Sequence, residues 1–218
     1  PGTDQQTLGR ALRRDPAAAE RFPDDVLELQ AWLSNESPLP GVTAMPGFNT
    51  NVPLIILGSS MFGASLAAKL GLPYAFASHF APQHLEQATT YYKENYQPSE
   101  RHPEPYCIAA VNVTAADSEQ EAVEETRIVH RNRVRAFMGR RGTMLSDDQL
   151  DAVVNSHQGR QITDMLRYTA KGTGEQVAEY LEAFQKLAKA DELMISLQSG
   201  SHDATLRNME ILAGSWGK

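Results

Sequence analysis

Hydrophobic runs alternating with helically spaced segments set the rhythm of this chain. Residues 54–57 are apolar at every position, as in a strand covered on both faces. In the segment 52–80, VPLIILGSSMFGASLAAKLGLPYAFASHF, that strand turns through Gly58-Ser59-Ser60 into a helix over 61–70, stops at Gly71 and resumes as strand over 74–77. The pattern predicts a helix over 82–96, a third strand over 106–113, and a long charged helix that Asp117 or Ser118 caps and that ends near Met138. Glu119, Glu121, Glu124 and Glu125 near its start and Arg131, Arg133 and Arg135 near its end complement a helix dipole. A helix over 175–189 opens after Gly172-Thr173-Gly174, with Val177, Tyr180, Leu181 and Phe184 on one face; a fourth strand over 192–197 and a helix over 203–213 close the chain.

Two regions interrupt this alternation. Residues 7–34 read as helical, with Val26, Leu27, Leu29 and Leu33 as the face to be buried from about Pro23 onward, and 37–51 is a loop rich in Pro and Gly. The block 139–172 has the character of an insertion, with short helices expected over 147–155 and 161–170. Strands alternating with helices predict an α/β fold with a parallel sheet. Four such units fit half of a (β/α)8 TIM-type barrel or a small open sheet, within a single domain spanning 1–218.

The net charge of −7 is distributed over helices of mixed sign, with no basic stripe for nucleic acid and no polybasic face for lipid. No apolar run reaches the roughly 20 residues of a membrane span. The lone Cys107 lies in an apolar strand, where a small buried thiol suits a reducing cytoplasm. The six histidines lack metal-ligand spacing, so no metal site is expected. GxGxxG, GxxxxGK[ST], GxSxG and CxxC are absent, which removes support for dinucleotide, nucleotide triphosphate, serine-hydrolase and thiol-redox chemistry.

The candidate chemistry gathers at strand ends. A strand that opens into a helix through Gly58, Ser59 and Ser60 presents free backbone N–H groups and two hydroxyls at the positive end of a helix dipole, an arrangement that suits a phosphate. Ser is also an ordinary N-cap, so the turn alone does not demand a ligand. Ser78, His79 and Phe80 follow the second strand, on the side where α/β sheets collect their ligands. Asn112, polar within an apolar strand, either faces the site or is a satisfied core residue. Asp203 and Arg207 have the spacing of a helical ion pair, and His202 stands beside them.

PLIILGSS, AAKLGLPYAFASHFAP, LEQATTYYKENYQPS, EPYCIAAVNVTAADSEQEA, ADELMI and HDATLRNMEILA, in this order and spacing, resemble the luciferase-like flavin-dependent monooxygenases. The resemblance covers nearly the whole chain apart from about 127–167. It implies a (β/α)8 barrel of which this chain carries the fifth to eighth strands, with the family's histidine-bearing segment and an arginine upstream of Pro1. It further implies FMN, or a deazaflavin of the F420 type, with the phosphate held at Gly58, Ser59, Ser60, Met61, Phe62 and Gly63. Ser78 and His79 would lie near the flavin ring, with His79 the candidate acid or base, and Pro1 to Asp4 near the ring's pyrimidine end. Expected partners are dioxygen, a small organic substrate, a separate flavin reductase, and a second copy or a chain that completes the barrel.

Overall fold

The computed structural model describes residues 9, 11, 12, 18–138 and 145–216. The chain divides into two compact units, 1–54 and 55–218. In the first, helix α1 (Ala18–Leu33) carries Pro23 inside it. Its carbonyls at Leu33 and Ser34 accept from the N–H groups of Asn51 and Asn49, folding the following loop back on the helix end. Of the face expected to be buried, Val26 is, whereas Leu27 and Leu29 are exposed.

The second unit is built on a parallel sheet of five strands: β1 (Ile56–Gly58), β2 (Tyr74–Phe76), β3 (Cys107–Ala115), β4 (Thr169–Gly172) and β5 (Glu192–Leu197). The helices are α2 (Met61–Leu70), α3 (Leu85–Glu94), α4 (Glu119–Met138), α5 (Asp147–Val154), α6 (His157–Thr163), α7 (Gly174–Ala188) and α8 (His202–Ser215). Helix α2 stops as expected at Gly71, in the left-handed region at φ 61°, whose Cβ would lie 2.5 Å from the Gln97 carbonyl oxygen. Ser118 is the residue that caps α4, its hydroxyl accepting from the Glu121 N–H at 3.2 Å.

The helix expected over 161–170 is replaced there by the end of α6, a 3-10 turn and strand β4, which makes five strands rather than four. Tertiary pairing decides this: the Asn112 N–H donates to the Tyr168 carbonyl, and β4 then runs in register with Asn112 to Ala115. β2 pairs with residues 107–109 of β3, β5 with 108–113 and β4 with 112–115. Because the β5 register overlaps both others, β2 and β4 share one edge of β3, one toward its start and the other toward its end.

Side chains alternate between the faces of a strand, so these registers sort the sheet. One face carries Ile56, Tyr74, Phe76, Cys107, Ala109, Val111, Val113 and Ala170, all buried. Helix residues Ala64, Leu66, Ala67, Leu85, Ala88, Val177, Leu181 and Phe184 are buried as well, in helices that pack on these strands. Tyr74 and Tyr92 meet with ring centroids 5.4 Å apart, and the Tyr92 hydroxyl donates to the Leu72 carbonyl at 2.9 Å. Burial pushes the Cys107 thiol up to about 12, which matches a thiol that serves as a small apolar filler.

The opposite face is different in kind. It carries Leu57, Ala75, Ile108, Ala110, Asn112, Thr114, Thr169, Lys171, Glu192, Met194 and Ser196. Leu57 is 70% exposed and Met194 56% exposed, whereas Ile108, Ala110, Asn112 and Thr114 of β3 are buried, so this face is open at β1 and β5 and closed along β3.

Candidate active site

The loops after β1 and β2 and the end of β3 lie along the carboxyl edge of the sheet, where ligands of α/β folds collect. Gly58 ends β1 and Gly63 lies in the first turn of α2. A Cβ on Gly63 would stand 3.3 Å from the Gly58 Cα and 3.2 Å from Tyr74 Cε2, so two glycines let strand end and helix start approach over the Tyr74 ring. The Tyr74 hydroxyl donates to the Ser60 carbonyl at 3.3 Å and fixes the turn from below. Burial raises the Tyr74 hydroxyl well above the ordinary phenol value, so it remains a donor.

Ser60 is the N-cap of α2, with extended backbone at φ −150° and ψ 173°, yet its hydroxyl accepts nothing from the helix. N-cap serines ordinarily satisfy one of the first N–H groups; Ser201 does so here by accepting from the Ala204 N–H at 3.2 Å. Ser59 and Ser60 are exposed, and among the described residues neither hydroxyl has a partner. Met61 is half-buried, Phe62 is exposed and Gly63 is buried.

Ser78 is fully buried, and its hydroxyl donates to the Ala110 carbonyl, tying the loop after β2 to β3. Asn112 is fully buried too, and its Nδ2 donates to the His79 carbonyl at 2.7 Å. These two bonds hold His79 at the sheet's carboxyl edge, with its ring edge-on to Phe80 at 4.7 Å between centroids. Two atoms here have no partner among the described residues: His79 Nδ1 and Asn112 Oδ1, both buried. Burial, and then the charge of Arg133 on α4, hold the His79 imidazole below its ordinary value, so the ring is neutral at neutral pH. Orphaned buried polar atoms each cost about 1–3 kcal/mol, so a pair of them in one place calls for an explanation.

The structure thus brings Asn112 directly to the His79 backbone, with Ser78 tying the same loop to Ala110, and it makes the 58–63 turn a cradle at the same edge. Arg207 does not pair with Asp203: its guanidinium reaches Asp117, with Nε at 2.9 Å, and Glu210 at 3.0 Å. Asp117, two residues before α4, accepts from Arg207 through both carboxylate oxygens, a fork that makes it the stronger partner. His202 is the exposed first residue of α8. Pro1 to Asp4 lie outside the described residues. In the sequence Arg133 is a charge that complements the helix dipole, and no spacing ties it to a histidine more than fifty positions upstream. Among the described residues, no group of three or more His, Cys, Asp or Glu is placed to hold a metal ion. No helix among them is long and apolar enough to cross a membrane.

Against known proteins, residues 17–190 match the family model described as luciferase-like monooxygenase. A luciferase-like monooxygenase of Escherichia coli (strain K12) is 34% identical over 212 residues, covering 97% of this chain and 63% of that protein. The protein YvbT of Bacillus subtilis (strain 168) is 34% identical, covering 99% of this chain and 65% of its own length. Among solved structures, apo-MsnO8 superposes with a TM-score of 0.76 at 27% identity, covering 96% of this chain and 64% of that one. The chain therefore spans a little less than two thirds of the length of these relatives. A match over most of the chain, joined to close sequence relatives and a shared fold, has one reading: the chain belongs to the luciferase-like monooxygenase family.

Proposed function

We propose that this chain takes part in a flavin-dependent monooxygenase reaction, in which reduced FMN delivered by a separate reductase and dioxygen oxidise a small organic substrate. The observation that carries this reading is the N-cap of α2, where Ser60 leaves its hydroxyl free of the helix it caps. With Ser59 and the first N–H groups of α2, it provides donors at the positive end of a helix dipole, which fits a phosphate. Reduced FMN, when bound, would supply the electrons that activate dioxygen. Gly58 and Gly63 allow the backbone close approach, and Tyr74 holds the turn in place.

His79 and Asn112 act on the ring side of that site. Asn112 fixes the loop through the His79 carbonyl, and its free Oδ1 accepts from a bound group. The neutral His79 ring offers Nδ1 as the atom at which a proton is taken or given. Both atoms are buried, so water competes poorly for them. The five strands belong, in this reading, to a (β/α)8-type barrel, and the open face bearing Leu57 and Met194 is covered by further strands or by a second copy. One solved structure sharing this fold is that of a coenzyme F420 dependent tetrahydromethanopterin reductase from Methanopyrus kandleri, with a TM-score of 0.51 at 16% identity, so F420 belongs in the test.

The test is a fluorescence titration of the chain with FMN, riboflavin and F420. FMN is expected to bind more tightly than riboflavin, which lacks the phosphate, and Ser60→Ala with Ser59→Ala to weaken FMN by at least about tenfold while leaving riboflavin unchanged. Equal loss of FMN and riboflavin would remove the phosphate from the turn. Saturable binding of F420 without FMN would exchange the cofactor.

A further inference from the structure

A cavity of about 350 Å³ lies between α4, α5 and β4, large enough for a small molecule. Arg127, His130, Asp151, Val154 and Asn155 of its lining fall in the stretch 127–167 that carries none of the quoted motifs, although the family match spans it. α4 lines it with one face, at positions that include Val123, Arg127 and His130. Lys171 comes from β4, and Val154 and Asn155 from the end of α5. Arg127 is already matched by Asp151 and by Glu124 at 3.6 Å. Lys171 has no carboxylate partner among the described residues, so its charge is the unbalanced one in the cavity. Val123 and Val154 also line the cavity, and neither can hydrogen-bond a fully hydrated ion.

We propose that this cavity binds a small organic carboxylate, its anionic group on Lys171 and His130 and its apolar body against Val123 and Val154. The sheet register puts Lys171 on the same face as Asn112, toward the carboxyl end of β3, where substrates of such folds bind. Naming this carboxylate as the substrate rests on the flavin reading; its binding does not. Burial, and then the Lys171 charge, hold the His130 imidazole below its ordinary value. A carboxylate between them offsets the Lys171 part of that shift and moves the His130 value upward. The charged groups that line the cavity with His130 are Lys171, Arg127 and Asp151.

The experiment titrates the chain with benzoate and with benzamide, its neutral counterpart, following backbone and imidazole signals by NMR. Benzoate is expected to bind saturably and raise the pH at which His130 titrates, with benzamide at least about tenfold weaker. Lys171→Met should weaken benzoate by about tenfold, whereas Lys171→Arg retains it. Lys171 is exposed, and a thermal melt on each variant checks that the fold is kept. Equal binding of benzoate and benzamide, or undiminished benzoate binding by Lys171→Met, overturns the proposal. FMN titration of the same samples separates the two readings: benzoate without FMN defeats the flavin reading alone, and FMN without benzoate defeats this one alone.

Discussion

Two asparagines, both fully buried, show how differently one residue type is used. Asn208 on α8 is satisfied: its Oδ1 accepts from the Ala115 N–H at 3.0 Å, and its Nδ2 donates to the Val113 carbonyl at 2.9 Å and the Gln198 carbonyl at 3.3 Å. Asn112 makes one bond, to His79, and leaves its Oδ1 unpartnered. Removing Asn208 strands backbone groups at the end of β3, so Asn208→Leu should cost about 2–4 kcal/mol. Asn112→Leu loses one bond but also an orphaned oxygen, so its cost should be about 1 kcal/mol or less. Urea unfolding checks the ranking, and a larger loss at Asn112 would contradict its assignment to ligand binding. Asn112 was legible in the sequence because it breaks an apolar strand. Asn208 was not, since an asparagine in a helix resembles any solvated position, and its partners lie up to 95 residues away.

At the scale of elements, the α4–α5 pair shows what periodicity conveys and what it omits. The arginines at the end of α4 were legible as charges that suit a helix C-terminus. Their use is more specific: Asp151 accepts from Arg127 Nε at 3.1 Å and Arg131 Nε at 2.6 Å, and Asp147 accepts from Arg131 at 3.1 Å and Arg135 at 3.4 Å. Arginines four apart facing aspartates four apart are a signal that could have paired the two helices in advance. These guanidinium groups hold the Asp151 carboxyl well below the ordinary carboxylate range. The contribution is therefore complete above about pH 4 and disappears as pH falls through the folded value. Asp151→Asn should speed amide exchange in α5 while leaving β1 to β3 protected, as measured by hydrogen exchange at neutral pH. β4 escaped notice for a related reason. Its four residues take their conformation from pairing with β3, and nothing local distinguishes them from a helix end.

Over the whole molecule, His79 and His130 share one sign of linkage. Each is held below its ordinary value chiefly by burial, so between about pH 6.5 and the lower folded value the unfolded chain takes up protons that the fold refuses. Stability should fall as pH drops from 7.5 to 5.5, and the double variant His79→Gln with His130→Gln should flatten that slope in urea unfolding; an unchanged slope would contradict it. The aspartate network does not interfere, because its window lies lower. β3 holds the remaining lesson. Its lower stretch is committed to β2 and β5, and its upper stretch receives β4 on the edge that β2 leaves vacant. The segment that departs after Ala115 and returns at Thr169 is thus a graft on one rail, leaving and rejoining the same strand. Descent can lengthen, shorten or replace that graft, and with it the lining of the cavity between α4, α5 and β4, without disturbing the strand pairings that carry the 58–63 turn.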